Sequence, residues 1–191
     1  MLSSVKTAII LFISLTILTG VVYPFLVTVC AQLFFTKEAN GSLIIKNNAV
    51  IGSQLIGQSF ISERYFWGRP SATRPFPYNA ADSDSSNINI RSPQFKQLLN
   101  QRSVFLTLTD PLKRRNPPMN LLTASASGLD PDISPDAAFF QAPRIAAVHH
   151  LPLADINNLI KTSIKPRTFK LLGEPRVNVL ELNLKLEDLH K

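Results

Sequence analysis

The sequence predicts an α+β protein: one N-terminal transmembrane helix followed by a single mixed α/β domain. Three observations predict it. From Thr7 to Thr36, thirty residues pass without Lys, Arg, Asp, Glu or His. Downstream, short β-rich runs and stretches of helical periodicity alternate with Pro- and Gly-bearing breaks. No internal repeat occurs, and 191 residues hold one soluble domain at most beside the apolar run. The expected division is an anchor over 1–36 and a domain over 37–191.

The apolar run comes first. About 20 apolar residues cross a hydrocarbon core about 30 Å thick, so this run spans with tilt or extends past the bilayer. The competing reading is a cleaved signal peptide, with Lys6 as its charged region and Val29-Cys30-Ala31 as a loose cleavage site. A signal peptide's apolar region is about 7–15 residues, and the run before Val29 exceeds that. Pro24 removes a backbone donor inside the run, which membrane helices tolerate when local adjustments satisfy the freed groups. Thr19 and Gly20 would let another helix approach closely. Thr19, Gly20, Tyr23 and Pro24 are therefore the candidate membrane-helix packing site.

Charge orients the span weakly, with Lys6 before it and Lys37 and Lys46 after it. Long domains translocate largely regardless of charge, so the domain is expected to be extracytoplasmic. The one cysteine, Cys30, lies in the span and excludes an intramolecular disulfide. The net charge of +7 is scattered apart from Lys113-Arg114-Arg115, read as a solvated loop. No nucleic-acid-binding motif is recognisable, so no nucleic-acid partner is expected.

In the domain, Leu43-Ile44-Ile45 and Val50-Ile51 flank Asn47-Asn48 and read as a hairpin. Asn40-Gly41-Ser42 matches a glycosylation sequon that only a eukaryotic secretory setting would use. Residues 65–79, YFWGRPSATRPFPYN, carry Pro70, Pro75 and Pro77, which forbid a regular helix. Residues 79–92 form a polar loop. Phe95, Leu98, Leu99, Arg102, Phe105 and Leu106 give a helical stripe from Pro93 to Leu106, and DPLKRRNPP breaks it. Ser134-Pro135-Asp136 starts a helix: an N-cap hydroxyl, a proline at the first position and an acid in the first turn. Pro143 is expected to kink or divide that helix. Leu153, Ile156, Leu159 and Ile160 mark another helix, and Gly173 and Pro175 punctuate the stretch after it. From Leu180 to Leu186, leucines alternate with Glu181, Asn183 and Lys185, which predicts a half-buried strand.

No self-contained catalytic constellation emerges from the sequence. Residues 52–59, GSQLIGQS, keep the glycines and final hydroxyl of a phosphate-binding loop but place Gln58 where its lysine belongs. Gly52 and Gly57 are read as turn glycines instead. In LLTASASGLDPDISPDAAFF, residues 121–140, hydroxyls alternate with alanines before Gly128. Ser125 or Ser127 with His149 and an acid could form a hydrolase triad, although no G-x-S-x-G elbow exists. His149-His150 reads as a helix C-terminal pair favoured by the macrodipole. Asp130 and Asp132 sit in a Pro-flanked turn suited to local hydrogen bonding. Neither HExxH nor CxxC is present, so no metal is indicated.

The order of segments carries a resemblance. GVVYPFLVTV closes the span, then NGSLI, GSQLIGQSF, YFWGRPSA and PYN follow, and later LLTASASGLDPDISPDAA, QAPRIA and GEPRVNVLELNL. Nearly the whole chain resembles the C subunit of the bacterial Kdp complex, an ATP-driven potassium importer of the inner membrane. The resemblance implies a non-catalytic accessory subunit that assembles or stabilises the complex. It implies two partners: a channel-like potassium-translocating subunit and a P-type ATPase subunit. It also implies a catalytic chaperone role that raises the ATPase subunit's affinity for ATP, with no cofactor of this chain's own and ATP reached only through the complex. Carried over, the nucleotide or partner contacts are Gln58, Arg69, Ser125 and Ser127. The sequence departs from the family at Asp84-Ser85, where a Gly-Gly pair commonly stands. The alternative reading is a membrane-anchored serine hydrolase.

Overall fold

The computed structural model describes residues 2–112 and 116–189 and separates two units, 1–43 and 44–191. The Lys113-Arg114-Arg115 loop of the sequence reading lies outside the described residues.

The first unit is helical. Helix α1 (Leu2–Ile17) passes through a π-helical turn (Leu18–Val22) into α2 (Tyr23–Phe34), and a short α3 (Thr36–Ala39) follows. The stretch Ser3–Phe34 is 32 residues of mean hydropathy 2.3, long and apolar enough to cross a membrane. At 1.5 Å per residue it runs about 48 Å, beyond the hydrocarbon thickness. None of its side chains is buried, and Phe12 is exposed by 72% and Phe25 by 66%. The threonine hydroxyls turn back on the helix: those of Thr16, Thr19 and Thr28 donate to the carbonyls four residues earlier at 2.8 Å each. The π-turn precedes Pro24. Its bond runs from Tyr23 N–H to Leu18 O, an i to i−5 register. The register shift is how the helix passes the donorless proline without a break.

The second unit begins with a hairpin, β1 (Leu43–Lys46) and β2 (Ala49–Ser53). Asn47 and Asn48 both take positive φ, 51° and 63°. That is the type I′ pattern, for which asparagine is well suited. Residues 59–79 have no strand or helix, as the prolines require. Helix α4 (Pro93–Thr109) follows, capped by Ser92, whose hydroxyl accepts from Phe95 N at 3.1 Å. After α5 (Met119–Leu122) and β3 (Asp132–Ile133) comes α6 (Pro135–His149), capped by Ser134 as expected. Pro143 does not divide α6. It is buried among core residues, and that packing outweighs one forfeited backbone bond. His149 closes the helix and His150 caps it in the left-handed region at φ 54°.

Helix α7 (Leu153–Ser163) leads into β4 (Ile164–Lys165), then β5 (Arg176–Asn178) and α8 (Val179–Asp188). The sheet is antiparallel in the order β3-β5-β4, with Ile133 and Ile164 both opposite Val177. Val177, Ile133, Ile145, Ile156, Ile160, Leu182 and Leu186 form the centre of the core, each 2% exposed or less.

The strand expected over Leu180–Leu186 is a helix. Val179, Leu182, Asn183 and Leu186 share its buried face at helical spacing, and Asn178 caps it by accepting from Glu181 N at 3.1 Å. Asn183, read from the sequence as outward, is 2% exposed.

Candidate functional site

The Pro-rich segment around Trp67 needs hydrogen-bond partners that no strand or helix supplies. Two buried side-chain amides supply them. Gln141 of α6 accepts from Trp67 N at 2.8 Å and donates to Trp67 O at 3.1 Å. Asn183 of α8 does the same for Phe66, at 2.8 and 3.0 Å. Arg144 of α6 donates to the carbonyls of Glu63 and Tyr65 and lies 3.7 Å from the Trp67 ring centroid. Burial lowers the Arg144 pKa to about 10. The sequence reading places Asn183 on the outward face of a strand and assigns Gln141 and Arg144 no role. Their positions on otherwise apolar helix faces are the signal that could have found them.

Held this way, the segment presents Arg69. Its guanidinium pairs with Asp130 at 3.1 Å and donates to Ala124 O at 3.2 Å. The Arg69 Nε is buried without a partner. Tyr78 folds back so that its hydroxyl donates to Arg69 O at 2.5 Å. Burial pushes the Tyr78 phenol up to about 12, and the Asp130 carboxylate adds to this. Gly57 and Gly68 make room for the ring: a Cβ on either would collide with Tyr78, and one on Gly57 would also stand 2.8 Å from Asp130 O. The Gly52 Cβ would collide with the Gln58 amide and stand 2.8 Å from Leu180. Gly52 and Gly57 are thus close-approach glycines, and the turn reading is corrected.

Facing Arg69 is the loop of Ser125 and Ser127. Gly128 turns it at φ 68°, where a Cβ would stand 2.6 Å from Thr73 Cγ2 and 2.8 Å from Asp84 O. Ser71 Oγ donates to Gly128 O at 2.7 Å, and Ser83 Oγ to Ser127 O at 3.3 Å. The polar loop with Asp84-Ser85 therefore closes over this turn. The Ser127 hydroxyl accepts from Leu129 N at 3.1 Å, and Asp130 accepts from Asp132 N at 3.0 Å. Both are local turn bonds. Burial raises the Asp132 pKa, opposed by its pairing with Arg176 at 3.0 Å.

An open pocket of about 580 Å³ results, lined by Leu55, Ile56, Arg69, Ser125, Ala126, Ser127, Leu129, Asp130 and Pro131. It gathers three of the four expected contacts. Gln58 is not among them; its amide donates to Ile51 O at 2.7 Å and covers Gly52. Nor is His149, whose ring nitrogen meets Arg64 O at 2.7 Å. Thr19, Gly20, Tyr23 and Pro24 lie together in the π-turn and the start of α2, with open space around the Gly20 Cβ position. Among the described residues no cluster of three His, Cys, Asp or Glu side chains suits a metal ion.

Fold and sites define a class first: a domain stabilised by its own buried polar side chains and, among the described residues, one helix long and apolar enough to cross a membrane. The comparisons narrow it. The profile of the KdpC family, described as the K+-transporting ATPase c chain, matches residues 5–188. A potassium-transporting ATPase KdpC subunit from Methylococcus capsulatus is 48% identical over 189 residues, covering 99% of this chain and 100% of that one. One from Dechloromonas aromatica is 46% identical over 186 residues, 97% of each chain. Another, from Herpetosiphon aurantiacus, is 48% identical over 182 residues, 95% of this chain and 93% of that one. The chain belongs to the KdpC family.

Proposed function

We propose that the chain is a non-catalytic accessory subunit of a potassium-importing P-type ATPase complex. It is anchored by a retained helix in the bacterial cytoplasmic membrane, with its domain on the outer side. Its task is to hold the potassium-translocating and ATP-hydrolysing subunits together.

One observation carries this reading. Ser125 and Ser127 share their pocket with an ion pair, Arg69–Asp130, and not with a histidine. Both oxygens of that carboxylate are taken, Oδ2 by Arg69 at 3.1 Å and Oδ1 by Asp132 N at 3.0 Å, so it fixes the loop instead of meeting a serine hydroxyl. A nucleotide phosphate at Arg69 would also stand beside the Asp130 carboxylate, where like charges repel. The pocket therefore suits a polar segment of a partner subunit better than ATP. Any effect on the ATP affinity of the P-type subunit runs through the membrane helix, where Thr19, Gly20, Tyr23 and Pro24 form a face with room for another helix.

The test has two arms. Ala126→Cys in a Cys30→Ser background, expressed without the partner subunits, should react with a membrane-impermeant maleimide in intact cells, because Ala126 is exposed; reaction only after the cells are permeabilised places the domain inside and defeats that part of the proposal. Gly20→Leu should leave the chain folded yet lower recovery of the P-type subunit in mild detergent. Unchanged recovery removes the assembly role from this face.

A further inference from the structure

Two hairpins of the chain carry consecutive positive-φ residues of opposite chemistry. At Asn47-Asn48 the positive φ values fall on residues that accept them. At Thr168–Leu171 they fall on Phe169 and Lys170, at 53° and 62°. The turn is closed by Leu171 N donating to Thr168 O at 3.1 Å, and Thr168 and Leu172 exchange both backbone bonds at 2.9 Å. A bulky aromatic in the left-handed region is a conformational outlier, and such strain persists where something else requires the side chain.

What these side chains do instead is protrude. Phe169 is 89% exposed, Leu171 75% and Leu172 58%. From Lys161 to Arg176 the chain carries Lys161, Lys165, Arg167, Lys170 and Arg176 against the single acid Glu174. Lys165, Arg167 and Arg176 pair with Glu181, Glu174 and Asp132, at 2.9, 2.6 and 3.0 Å. Lys170 stands at the tip itself. An apolar tip bearing a lysine matches the boundary between acyl chains and anionic headgroups. A protein partner would more commonly be met by a broad face with a polar rim. The chain from Phe34 to Leu43 extends at most about 32 Å, which keeps the domain beside whatever membrane the helix crosses.

We propose that the Thr168–Leu172 hairpin is a lipid-contacting tip. Phe169, Leu171 and Leu172 enter the interfacial layer, and Lys170, with Lys161 nearby in sequence, meets the phosphates of anionic phospholipid. This rests on the retained membrane helix proposed above.

The experiment uses the assembled complex in nanodiscs containing phosphatidylglycerol. A nitroxide is placed at Leu171→Cys in a Cys30→Ser background, and separately at Ile17→Cys, near the middle of the span, in the same background. Collisions with oxygen and with a water-soluble nickel complex are read by power saturation. The expected result at 171 is strong oxygen and weak nickel collision, with nickel access regained in purely zwitterionic discs. Adding Phe169→Asn and Lys170→Gly, the residues this turn prefers, should keep the domain folded and also restore nickel access. Full nickel access at 171 in anionic discs overturns the proposal. So does shielding from both relaxants, which means a protein covers the tip, and so does immersion indifferent to lipid charge. The Ile17 label separates the two claims: if it too is open to nickel, the retained span has failed, whereas failure at 171 alone condemns only the tip.

Discussion

The spanning helix and the Pro-rich segment around Trp67 solve one problem in opposite ways. Both must satisfy backbone polar groups away from water. The helix does so within itself, and Thr16, Thr19 and Thr28 return even their hydroxyls to its own carbonyls. Its apolar side chains are then left for an environment the chain does not contain. The segment from Glu63 to Trp67 makes only local bonds to Ser62 nearby in the chain and otherwise borrows Gln141, Arg144 and Asn183 from helices far along the chain. The first region is built to meet other molecules, and the second is built to meet only this one. Substitutions should therefore act on folding in the second and on assembly in the first.

The sharpest way to break that contrast is Gln141→Leu. It strands the Trp67 amide and carbonyl in a buried site, at about 1–3 kcal/mol for each unsatisfied group. Thermal or denaturant unfolding of the full-length protein should show a loss of about 3 kcal/mol, with Asn183→Leu behaving alike at Phe66. A loss below about 1 kcal/mol would mean that water or relaxation replaces the amide, and the segment would not depend on the helices as argued.

These two amides also mark where the sequence was legible and where it was not. Local signals were reliable. Asn47-Asn48 specified its hairpin, Ser134-Pro135-Asp136 its helix, and the uncharged N-terminus its long helix, because each depends on neighbours in the chain. Leu180–Leu186 misled because two periods fit it. Leucines at every second position suggest a strand, while Val179, Leu182, Asn183 and Leu186 suggest a helix. The choice turned on Asn183, whose partner Phe66 lies 117 positions away. A local cue was present, since Asn178 followed by Glu181 has the spacing of a capped helix start, and no β-branched residue follows Val179. The candidate pocket was half legible for the same reason. The motifs named Arg69, Ser125 and Ser127, but nothing local couples Arg69 to Asp130, or sends Gln58 to Ile51 instead.

A smaller effect is expected at Gly57. Alanine there drives a methyl against the Tyr78 ring and Asp130 O, and overpacking of this kind costs about 1–3 kcal/mol. Gly20 has open space at the same test, so Gly20→Ala should leave the isolated chain as stable as before or slightly better, helix propensity favouring alanine by about 1 kcal/mol. Equal destabilisation by both would erase the distinction between the regions.

Tyr78 gives a pH readout of the domain side. Its phenol is held above its ordinary value, to about 12, so the folded state retains a proton that the unfolded state releases near pH 10. The stability tied to the neutral phenol is complete below pH 10 and is lost as pH rises towards 12. Tyr78→Phe should cost about 1 kcal/mol at neutral pH through the lost bond to Arg69 O and should flatten the alkaline decline. A decline of the same steepness in Tyr78→Phe would assign it to other groups.

The least effect belongs to the helix's own hydroxyls. Thr16 and Thr28 donate to carbonyls four residues back, oxygens that have a second lone pair for the ordinary helical bond. Valine matches threonine in shape and keeps the β-branched rotamer. Thr16→Val and Thr28→Val should therefore change unfolding in detergent by less than about 0.6 kcal/mol, the average found for polar contacts between membrane helices. They should also leave recovery of the partner subunits unchanged. Thr19→Val tests the same bond within the π-turn, on the face assigned to a partner. If it behaves as Thr16 and Thr28 do, that face is read by shape alone. If only Thr19→Val lowers recovery, its hydroxyl is shared with a neighbouring helix, and the helix is less self-sufficient at its π-turn than elsewhere.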